Sequence, residues 1–353
     1  MLSSCAADGR GGGIETPSPA LAAAARTIDE FPPPGIAVAE VADGRARFLV
    51  RGTERPAGRP IAPETVFQIA SLTKPFTAIV ILRLAEEGRL RLEDRASDRL
   101  DWLPQRYEAV TIRQLLTHTA GVPRDLRREN VDEFDLDEFR RRFVAADPSF
   151  EPGTRWEYAN TGYTLLSMIA EQAGGQPFER LLESHIFRPV GMRYTRYRAP
   201  LLQTQGRALG HDWLEERWQP APPVYSGFGN SGIETTAADL ARFATALQRR
   251  RLLRPESYEE MLSPQRLSSG AIIEFPFRDR PTRFGLGWFL NDVCGVAVAG
   301  HGGTIAGFSS NLFWAPGRSL AILALANGKS GADRIGVAEK VAGAALRARL
   351  GCA

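Results

Sequence analysis

Two residues three positions apart, Ser71 and Lys74, have the types and spacing for nucleophilic chemistry. A strand-like run at residues 64–69 leads into a helix-like run at residues 73–87, so both side chains should lie on one helical face, one turn apart. The start of a helix adds a partial positive charge and free N–H groups beside the serine oxygen. The pair therefore predicts an activated serine nucleophile with an amine next to it.

The composition makes this lysine unusual. Only three of the 44 Lys and Arg residues are lysine, namely Lys74, Lys329 and Lys340. Arginine keeps its proton in a protein, whereas a partly buried lysine can release one. A Ser-x-x-Lys tetrad also occurs by chance as a helix cap followed by a solvated charge, so the catalytic interpretation needs support from the rest of the chain.

A second motif places a phenol and an amide at the start of one helix. Tyr158 and Asn160 follow a Pro-Gly loop and precede an apolar helix predicted at residues 160–173. The phenol can act as an acid or a base if neighbouring cations lower its pKa. The alternative is that Asn160 only caps the helix while Tyr158 packs on the surface.

A third motif surrounds one histidine with glycines near the end of a strand. His301 is followed by Gly302, Gly303 and Thr304. Glycines let a ligand approach the backbone closely and free N–H groups for hydrogen bonds. The alternative is a glycine-rich strand end or bulge.

The bulk composition excludes several classes of function. The chain has 353 residues, a net charge of +3 and 43% hydrophobic residues, which is typical of a globular protein and disfavours nucleic-acid binding. The four histidines show no metal-ligand spacing and no cofactor motif is present, so we expect neither a metal nor a cofactor. Cys5, Cys294 and Cys352 are too few and too scattered to indicate a disulfide framework. No apolar run is long enough to span a bilayer.

The N-terminus suggests how the protein is sorted. Residues 1–18 are rich in Gly, Ser and Pro and are expected to form a disordered tail. Cys5 follows Leu2-Ser3-Ser4, a pattern like the end of a lipoprotein signal, which makes it a candidate lipid anchor. Export to the periplasm or a lipid anchor is expected if an upstream signal was removed, and a cytoplasmic location otherwise.

The order of elements predicts an α+β fold in which both ends of the chain build one antiparallel sheet. Early strands are expected at residues 35–41, 46–52 and 64–69, and late strands at residues 284–290, 293–299, 307–314 and 320–326. Helices are expected at residues 20–30, 112–118, 133–145, 160–173, 177–185, 236–249 and 333–350. Residues 19–88 and 281–353 would form the sheet lobe, and residues 89–280 an inserted helical lobe, with the active site between them.

Taken together, the three motifs resemble those of the penicillin-recognising serine hydrolases. That superfamily has Ser-x-x-Lys near the start, Tyr-x-Asn in the helical lobe and Lys/His-x-Gly on a late strand. This chain has Ser71 to Lys74, Tyr158 to Asn160 and His301 to Gly303, in that order. The resemblance implies a β-lactamase/transpeptidase-like fold and a small-molecule substrate.

The resemblance also implies roles for the site residues. Ser71 would attack a carbonyl and form an acyl-enzyme, with Lys74 or Tyr158 as the general base, and water would then hydrolyse the acyl group. The backbone N–H groups of Ser71 and Thr304 would form the oxyanion hole, and Asn160 would hold Lys74 and the substrate amide. His301, Gly302 and Gly303 would line the substrate site.

His301 sets this chain apart from many β-lactamases, which carry a permanent lysine charge there. A neutral histidine attracts a substrate carboxylate less, and Gly302 in place of Thr or Ser removes a hydroxyl that could bind one. We therefore expect a hydrolase of small esters or of D-amino-acid amides and peptides, as in carboxylesterase- and D-aminopeptidase-like relatives, with weak β-lactamase activity. A true class C-like β-lactamase, a DD-carboxypeptidase, an acyltransferase and a catalytically silent penicillin-binding-like protein remain as alternatives.

Three segments are expected to cover the cleft and set the substrate: residues 123–133, 203–229 and 268–280. Their aromatic residues favour an apolar substrate side, although they can equally pack the lobe: Trp213, Trp218, Phe228, Phe275 and Phe277.

Overall fold

A computed structural model describes residues 18–126, 135–197, 206–222, 227–277, 280–330 and 336–352. The strands are β1 Gly35–Ala42, β2 Arg45–Gly52, β3 Val66–Gln68, β4 Arg196–Tyr197, β5 His211–Leu214, β6 Arg217–Pro220, β7 Ile233–Thr236, β8 Glu274–Phe277, β9 Arg280–Phe284, β10 Phe289–Val293, β11 Val296–Ile305, β12 Phe308–Ala315, β13 Leu320–Ala326 and β14 Gly328–Lys329. The helices are α1 Pro19–Glu30, α2 Thr73–Glu86, α3 Ile112–Leu116, α4 Leu136–Ala145, α5 Asn160–Gly174, α6 Phe178–Leu182, α7 Arg188–Val190, α8 Ala237–Gln248, α9 Pro255–Leu262 and α10 Val337–Leu350.

One eight-stranded antiparallel sheet organises the chain. Its strand order is β2-β1-β13-β12-β11-β10-β9-β8. The N-terminal hairpin joins the C-terminal strands where β1 pairs with β13, from Ile36 opposite Ala326 to Ala42 opposite Leu320. The expected antiparallel sheet, built from both ends of the chain and flanked by helices, is confirmed.

The central strand β13 shows why the sheet is covered on both faces. All seven of its residues are buried and apolar, as expected for a strand with a core on each side. Alternate residues point to opposite faces. Leu323 and Leu325 join the core shared with α2, α5 and α8, whereas Ile322 and Ala324 join the core beneath α1 and α10.

The middle of the chain supplies most of the helices. Two of these helices have side-chain caps, because the Thr111 side chain accepts from the Gln114 N–H at the start of α3 and the Thr236 side chain accepts from the Asp239 N–H at the start of α8. This region also holds β4 to β7 and α9, which the sequence analysis did not anticipate. The lobe boundaries at residues 88 and 280 stay a prediction.

Two predicted strands differ from the structure. Residues 64–69 contain only the short β3, which pairs with β7 in a separate three-stranded sheet rather than joining the large one. Residues 285–288 form a turn between the end of β9 and the start of β10, where the Gly285 N–H donates to the Trp288 carbonyl. That segment looks strand-like because Leu286 and Trp288 are completely buried, but the turn needs Gly287 at a φ of +81°.

The expectation of no disulfide is wrong. Cys294 and Cys352 are bonded, with their Cα atoms 6.2 Å apart, within the usual range for a disulfide. The bond ties the turn between β10 and β11 to the end of α10. The spacing of the two cysteines gave no hint of this, since the fold alone brings the two segments together.

Several expectations lie outside the described residues. They are the disordered tail over residues 1–17, the lipid anchor at Cys5, the starts of the helices expected at residues 133–145 and 333–350, and parts of all three cleft segments. Among the helices that are described, none is long and apolar enough to cross a membrane.

We expect Cys352→Ser to lower the free energy of unfolding by about 2–4 kcal/mol, because the disulfide closes a long loop in the unfolded chain. Urea unfolding of the wild type with and without a reductant, beside the variant, measures the effect. Reductant should lower the stability of the wild type and leave Cys352→Ser unchanged. Equal stability of all the samples would contradict the pairing.

Candidate active site

Ser71 lies in a single 3-10 turn, Ala70–Leu72, between β3 and α2. Ala70 has a φ of +47°, an unusual conformation for a residue with a side chain. A hydrogen bond from the large sheet fixes the start of this turn, because the Ser310 hydroxyl of β12 donates to the Ile69 carbonyl at 2.7 Å. Ser71 itself is partly exposed, so its hydroxyl is fixed in place while a substrate can still reach it.

The buried Lys74 amine has hydrogen-bond partners on three different segments. Its Nζ lies 3.1 Å from Ser71 Oγ, 2.8 Å from Asn160 Oδ1 and 3.0 Å from the Asn230 carbonyl oxygen. The side chain is fully buried, which makes such partners necessary. The predicted proximity of Ser71 and Lys74 is present, with Lys74 as the second residue of α2.

The loop before β7 supplies the Asn230 carbonyl, which the sequence analysis did not single out. The Gly229 carbonyl accepts from Thr77 of α2 at 2.6 Å, and the Asn230 amide donates to Thr164 of α5 at 2.9 Å. Gly229 has a φ of +65°, and a side chain there would collide with the Tyr163 carbonyl. The glycine-rich sequence of residues 227–232 is the signal that could have identified this loop.

The Asn160 side chain binds Lys74 and does not cap α5, the helix that begins at this residue. Its Oδ1 accepts from Lys74, and its Nδ2 donates to Asp125 Oδ2 at 2.8 Å. The N-cap of α5 is Ala159, and no side chain caps the helix. The alternative in which Asn160 is a helix cap is therefore wrong.

The aromatic ring of Tyr158 lies against the Lys74 amine. The Lys74 Nζ lies 4.8 Å from the centroid of the Tyr158 ring, within the range of a cation–π contact. The Tyr158 ring is half-buried and lies 6.3 Å from the His301 ring, centroid to centroid. The Tyr158 ring therefore lies between the Ser71 and Lys74 pair and His301 of the third motif.

Strand β11 presents only alternate residues of the third motif to the serine. A Cβ atom at Gly303 would lie 2.9 Å from the Ser71 nitrogen and would collide with the Ile69 carbonyl, so only glycine lets β11 approach this closely. On the other face, a Cβ at Gly302 would point to Glu339 of α10, and the Thr304 hydroxyl lies near Gly336. A hydroxyl at position 302 would therefore face α10, which corrects the argument that its absence weakens carboxylate binding.

His301 is a buried, neutral ring. Its Nδ1 lies 2.6 Å from the Gly302 carbonyl, which can only accept, so Nδ1 carries the proton. Burial, with a contribution from the Lys74 charge, lowers the pKa of His301 to about 3. Its Nε2 is buried and has no hydrogen-bond partner within the described part of the chain. The expectation of an uncharged group in place of the family's lysine is therefore consistent with the structure.

An aromatic wall, formed by Trp156, Phe275 and Phe289, borders Tyr158 and His301. Trp156 stacks on Phe275 with ring centroids 3.7 Å apart, and Phe289 lies 5.0 Å from the His301 ring. All three rings are half-buried. Of the aromatic residues named from the sequence, Phe275 belongs to this wall.

Of the remaining aromatic residues named from the sequence, Phe228 lies in the loop before β7, next to Asn230, and its carbonyl accepts from the Thr164 hydroxyl at 3.0 Å. Trp213 and Trp218 pack on Phe31 instead, with centroids 5.0 and 5.4 Å away. The side chain of Phe277 is not among those described. Nowhere in the described ranges do three His, Cys, Asp or Glu side chains form a group that could hold a metal ion.

Comparison with known proteins agrees with this geometry. The model of the beta-lactamase family matches residues 24–346 of the chain. The chain belongs to the beta-lactamase family. This confirms the resemblance to the penicillin-recognising serine hydrolases that the three motifs indicated.

Curated relatives place the chain within that family. It is 32% identical over 277 residues to penicillin-binding protein 4* of Bacillus subtilis, a match that covers 71% of this chain and 58% of the relative. It is 28% identical over 276 residues to protein flp of Staphylococcus aureus, covering 75% of this chain and 53% of the relative. The chain thus spans little more than half the length of these relatives.

Two solved structures share the fold over nearly the whole chain. The octameric penicillin-binding protein homologue from Pyrococcus abyssi superposes with a TM-score of 0.80 at 25% identity, covering 94% of this chain and 77% of that one. The penicillin-binding protein from Bacillus halodurans gives a TM-score of 0.76 at 28% identity, covering 92% and 98%.

The neutral His301 should make the stability of the fold depend on pH. Its pKa is about 3 in the folded protein and about 6.5 when unfolded, so both states are neutral above pH ~6.5. As the pH falls from ~6.5 towards ~3, only the unfolded chain binds the proton. The free energy of unfolding should then fall by up to about 1.4 kcal/mol per pH unit through this residue.

We expect His301→Asn to reduce that slope by about the same amount. Urea unfolding followed by tryptophan fluorescence at several pH values between 4 and 7.5 measures it. Identical slopes for wild type and His301→Asn would show that the ring is not buried in its neutral form.

Proposed function

We propose that this protein is a serine hydrolase that acts through an acyl-enzyme on small neutral esters and D-amino-acid amides, and reacts slowly with penicillins. The observation that carries the proposal is the Lys74 amine, held 3.1 Å from Ser71 Oγ by two fixed carbonyl oxygens. Membership of the β-lactamase family supports the class of reaction.

The hydrogen bonds of Lys74 support the proposed path of the proton. The Asn160 Oδ1 and Asn230 carbonyl can only accept, so they take two N–H bonds in either protonation state of the amine. A third position of Nζ faces Ser71 Oγ, where a neutral amine accepts the hydroxyl proton and an ammonium returns it. Ser71 Oγ then bonds to the substrate carbonyl carbon, and the proton passes through Lys74 and Tyr158 to the leaving group.

The backbone around Ser71 would stabilise the negative oxygen that develops during attack. The close approach of β11 at Gly303 brings the strand that carries Thr304 beside the Ser71 nitrogen. In the proposed mechanism, the N–H groups of Ser71 and Thr304 donate to that oxygen. Losing one such donor typically raises the barrier by about 3 kcal/mol. Water, activated by the same Lys74 and Tyr158 pair, then releases the acyl group.

The surroundings of the serine favour substrates without a carboxylate. A histidine whose pKa is about 3 carries no charge to attract a substrate carboxylate at neutral pH, unlike the lysine of many family members. The half-buried aromatic wall beside it offers apolar surface to a substituent on the substrate. Both features support esters and amides over carboxylate-bearing β-lactams and D-Ala-D-Ala peptides.

We also propose that the protein works outside the reducing cytosol. The Cys294–Cys352 disulfide supports this, since such bonds persist mainly in oxidising compartments. A periplasmic or lipid-anchored location fits the pattern around Cys5.

A rate panel tests the proposed function. The purified protein is given a p-nitrophenyl ester, a D-amino-acid p-nitroanilide, a D-Ala-D-Ala peptide and the chromogenic cephalosporin nitrocefin. We expect the ester and the anilide to have values of kcat/KM at least about tenfold above those of the carboxylate-bearing substrates. Ser71→Ala should abolish turnover of all four, because it removes the nucleophile.

A matched serine variant controls for the substitution itself. Ser184 is exposed, and its hydroxyl donates to the Arg180 carbonyl at 2.8 Å, away from the residues assigned to the site. Ser184→Ala should therefore keep the wild-type rates on all four substrates. Equal losses in Ser71→Ala and Ser184→Ala would remove Ser71 from the role of nucleophile.

The same panel separates the alternatives. Nitrocefin or D-Ala-D-Ala turnover that equals ester turnover would indicate a true β-lactamase or DD-carboxypeptidase. Products that shift to an added amine or alcohol would indicate an acyltransferase. No turnover of any substrate and no labelling of Ser71 by a fluorophosphonate probe would indicate a catalytically silent protein.

A further inference from the structure

His118 has no part in the mechanism described so far, yet it is buried beside the site. It follows α3 in a backbone conformation with a φ of +59°, which is uncommon for a residue with a side chain. Its ring contacts four aromatic rings, and its centroid lies 4.4 Å from that of Tyr158 and 5.1 Å from that of Tyr163. A polar ring placed in such surroundings calls for an explanation.

The hydrogen bonds of His118 bracket Tyr158. The N–H of Glu157, the residue before the tyrosine, donates to the His118 carbonyl at 2.9 Å. The N–H of Ala159, the residue after it, donates to His118 Nδ1 at 3.1 Å in a fully buried contact. One residue therefore fixes the backbone on both sides of the tyrosine and also packs against its ring.

The second of these bonds requires an uncharged imidazole. Nδ1 can accept from Ala159 only while it carries no proton of its own. Burial, helped by the charge of Lys74, lowers the pKa of His118 well below its ordinary value. The acceptor is therefore available at neutral pH.

We propose that His118 is a positioning residue for Tyr158, which holds the phenol over Lys74 by accepting the Ala159 N–H at its ring nitrogen. The proposal rests on the proposed function only for its effect on rate, since the placement of the tyrosine can be measured without any substrate. A misplacement of about 1 Å at a catalytic group can cost about 100-fold in rate.

Two substitutions that tolerate the positive φ separate the roles of the acceptor and the ring. His118→Asn keeps an acceptor where Nδ1 stood, whereas His118→Gly removes both the acceptor and the ring. The protein is labelled with ¹³Cζ-tyrosine, and the Tyr158 signal is assigned among the seven tyrosines by its loss in Tyr158→Phe. His185→Asn and His185→Gly, at a histidine that contacts Glu87, are the matched controls.

We expect His118→Gly to shift or broaden the Tyr158 signal and to lower kcat for the p-nitrophenyl ester by about 10- to 100-fold, with KM changed less than about threefold. His118→Asn should restore the signal and bring kcat to within about tenfold of the wild type. In a Tyr158→Phe background, His118→Gly should lower kcat no further.

Other results would overturn the proposal. An unchanged Tyr158 signal in His118→Gly would show that the tyrosine does not depend on His118. Equal losses in the Asn and Gly variants, or an equal loss with Tyr158 absent, would show that His118 only supports the fold. A wild type that hydrolyses nothing would contradict the proposed function alone, because the tyrosine signals still decide whether His118 positions Tyr158.

Discussion

The burial of one amine is the constraint on which the site depends. Lys74 is removed from water, so its Nζ must find acceptors within the protein. Three of its partners come from the Ser71 turn, the start of α5 and the loop before β7. These segments are far apart in sequence, and satisfying a single nitrogen brings them to one point. The geometry that makes the lysine stable is also the geometry that places it against the serine.

The two histidines near the lysine are compatible with it because both are neutral. Burial and the Lys74 charge lower the pKa of His118 well below its ordinary value and that of His301 to about 3. Each ring then uses one nitrogen for a fixed hydrogen bond, His118 as the acceptor from Ala159 and His301 beside the Gly302 carbonyl. Neither histidine therefore adds a positive charge beside Ser71 at neutral pH.

Local sequence patterns predicted the parts of this structure that local physics determines. The Ser71 to Lys74 spacing, the α5 start at Asn160 and the hairpin of β1 and β2 follow from helix and strand periodicity and from turn residues. The Asn230 carbonyl, the clamp made by His118 and the Cys294–Cys352 bond depend on segments that meet only in the fold. The strand predicted at residues 284–290 is wrong for a related reason. A buried turn and a buried strand both need apolar side chains, so the sequence pattern does not distinguish them.

The most direct test is to capture the acyl-enzyme. The protein is mixed with an excess of a penicillin, quenched in acid and measured by intact mass, and its peptides are then mapped. We expect a gain of one penicilloyl group, carried on Ser71 and absent from Ser71→Ala, because ring opening adds the whole molecule to the serine. An adduct on another residue, or an adduct formed in equal yield by Ser71→Ala, would contradict the assignment of Ser71 as the nucleophile served by Lys74.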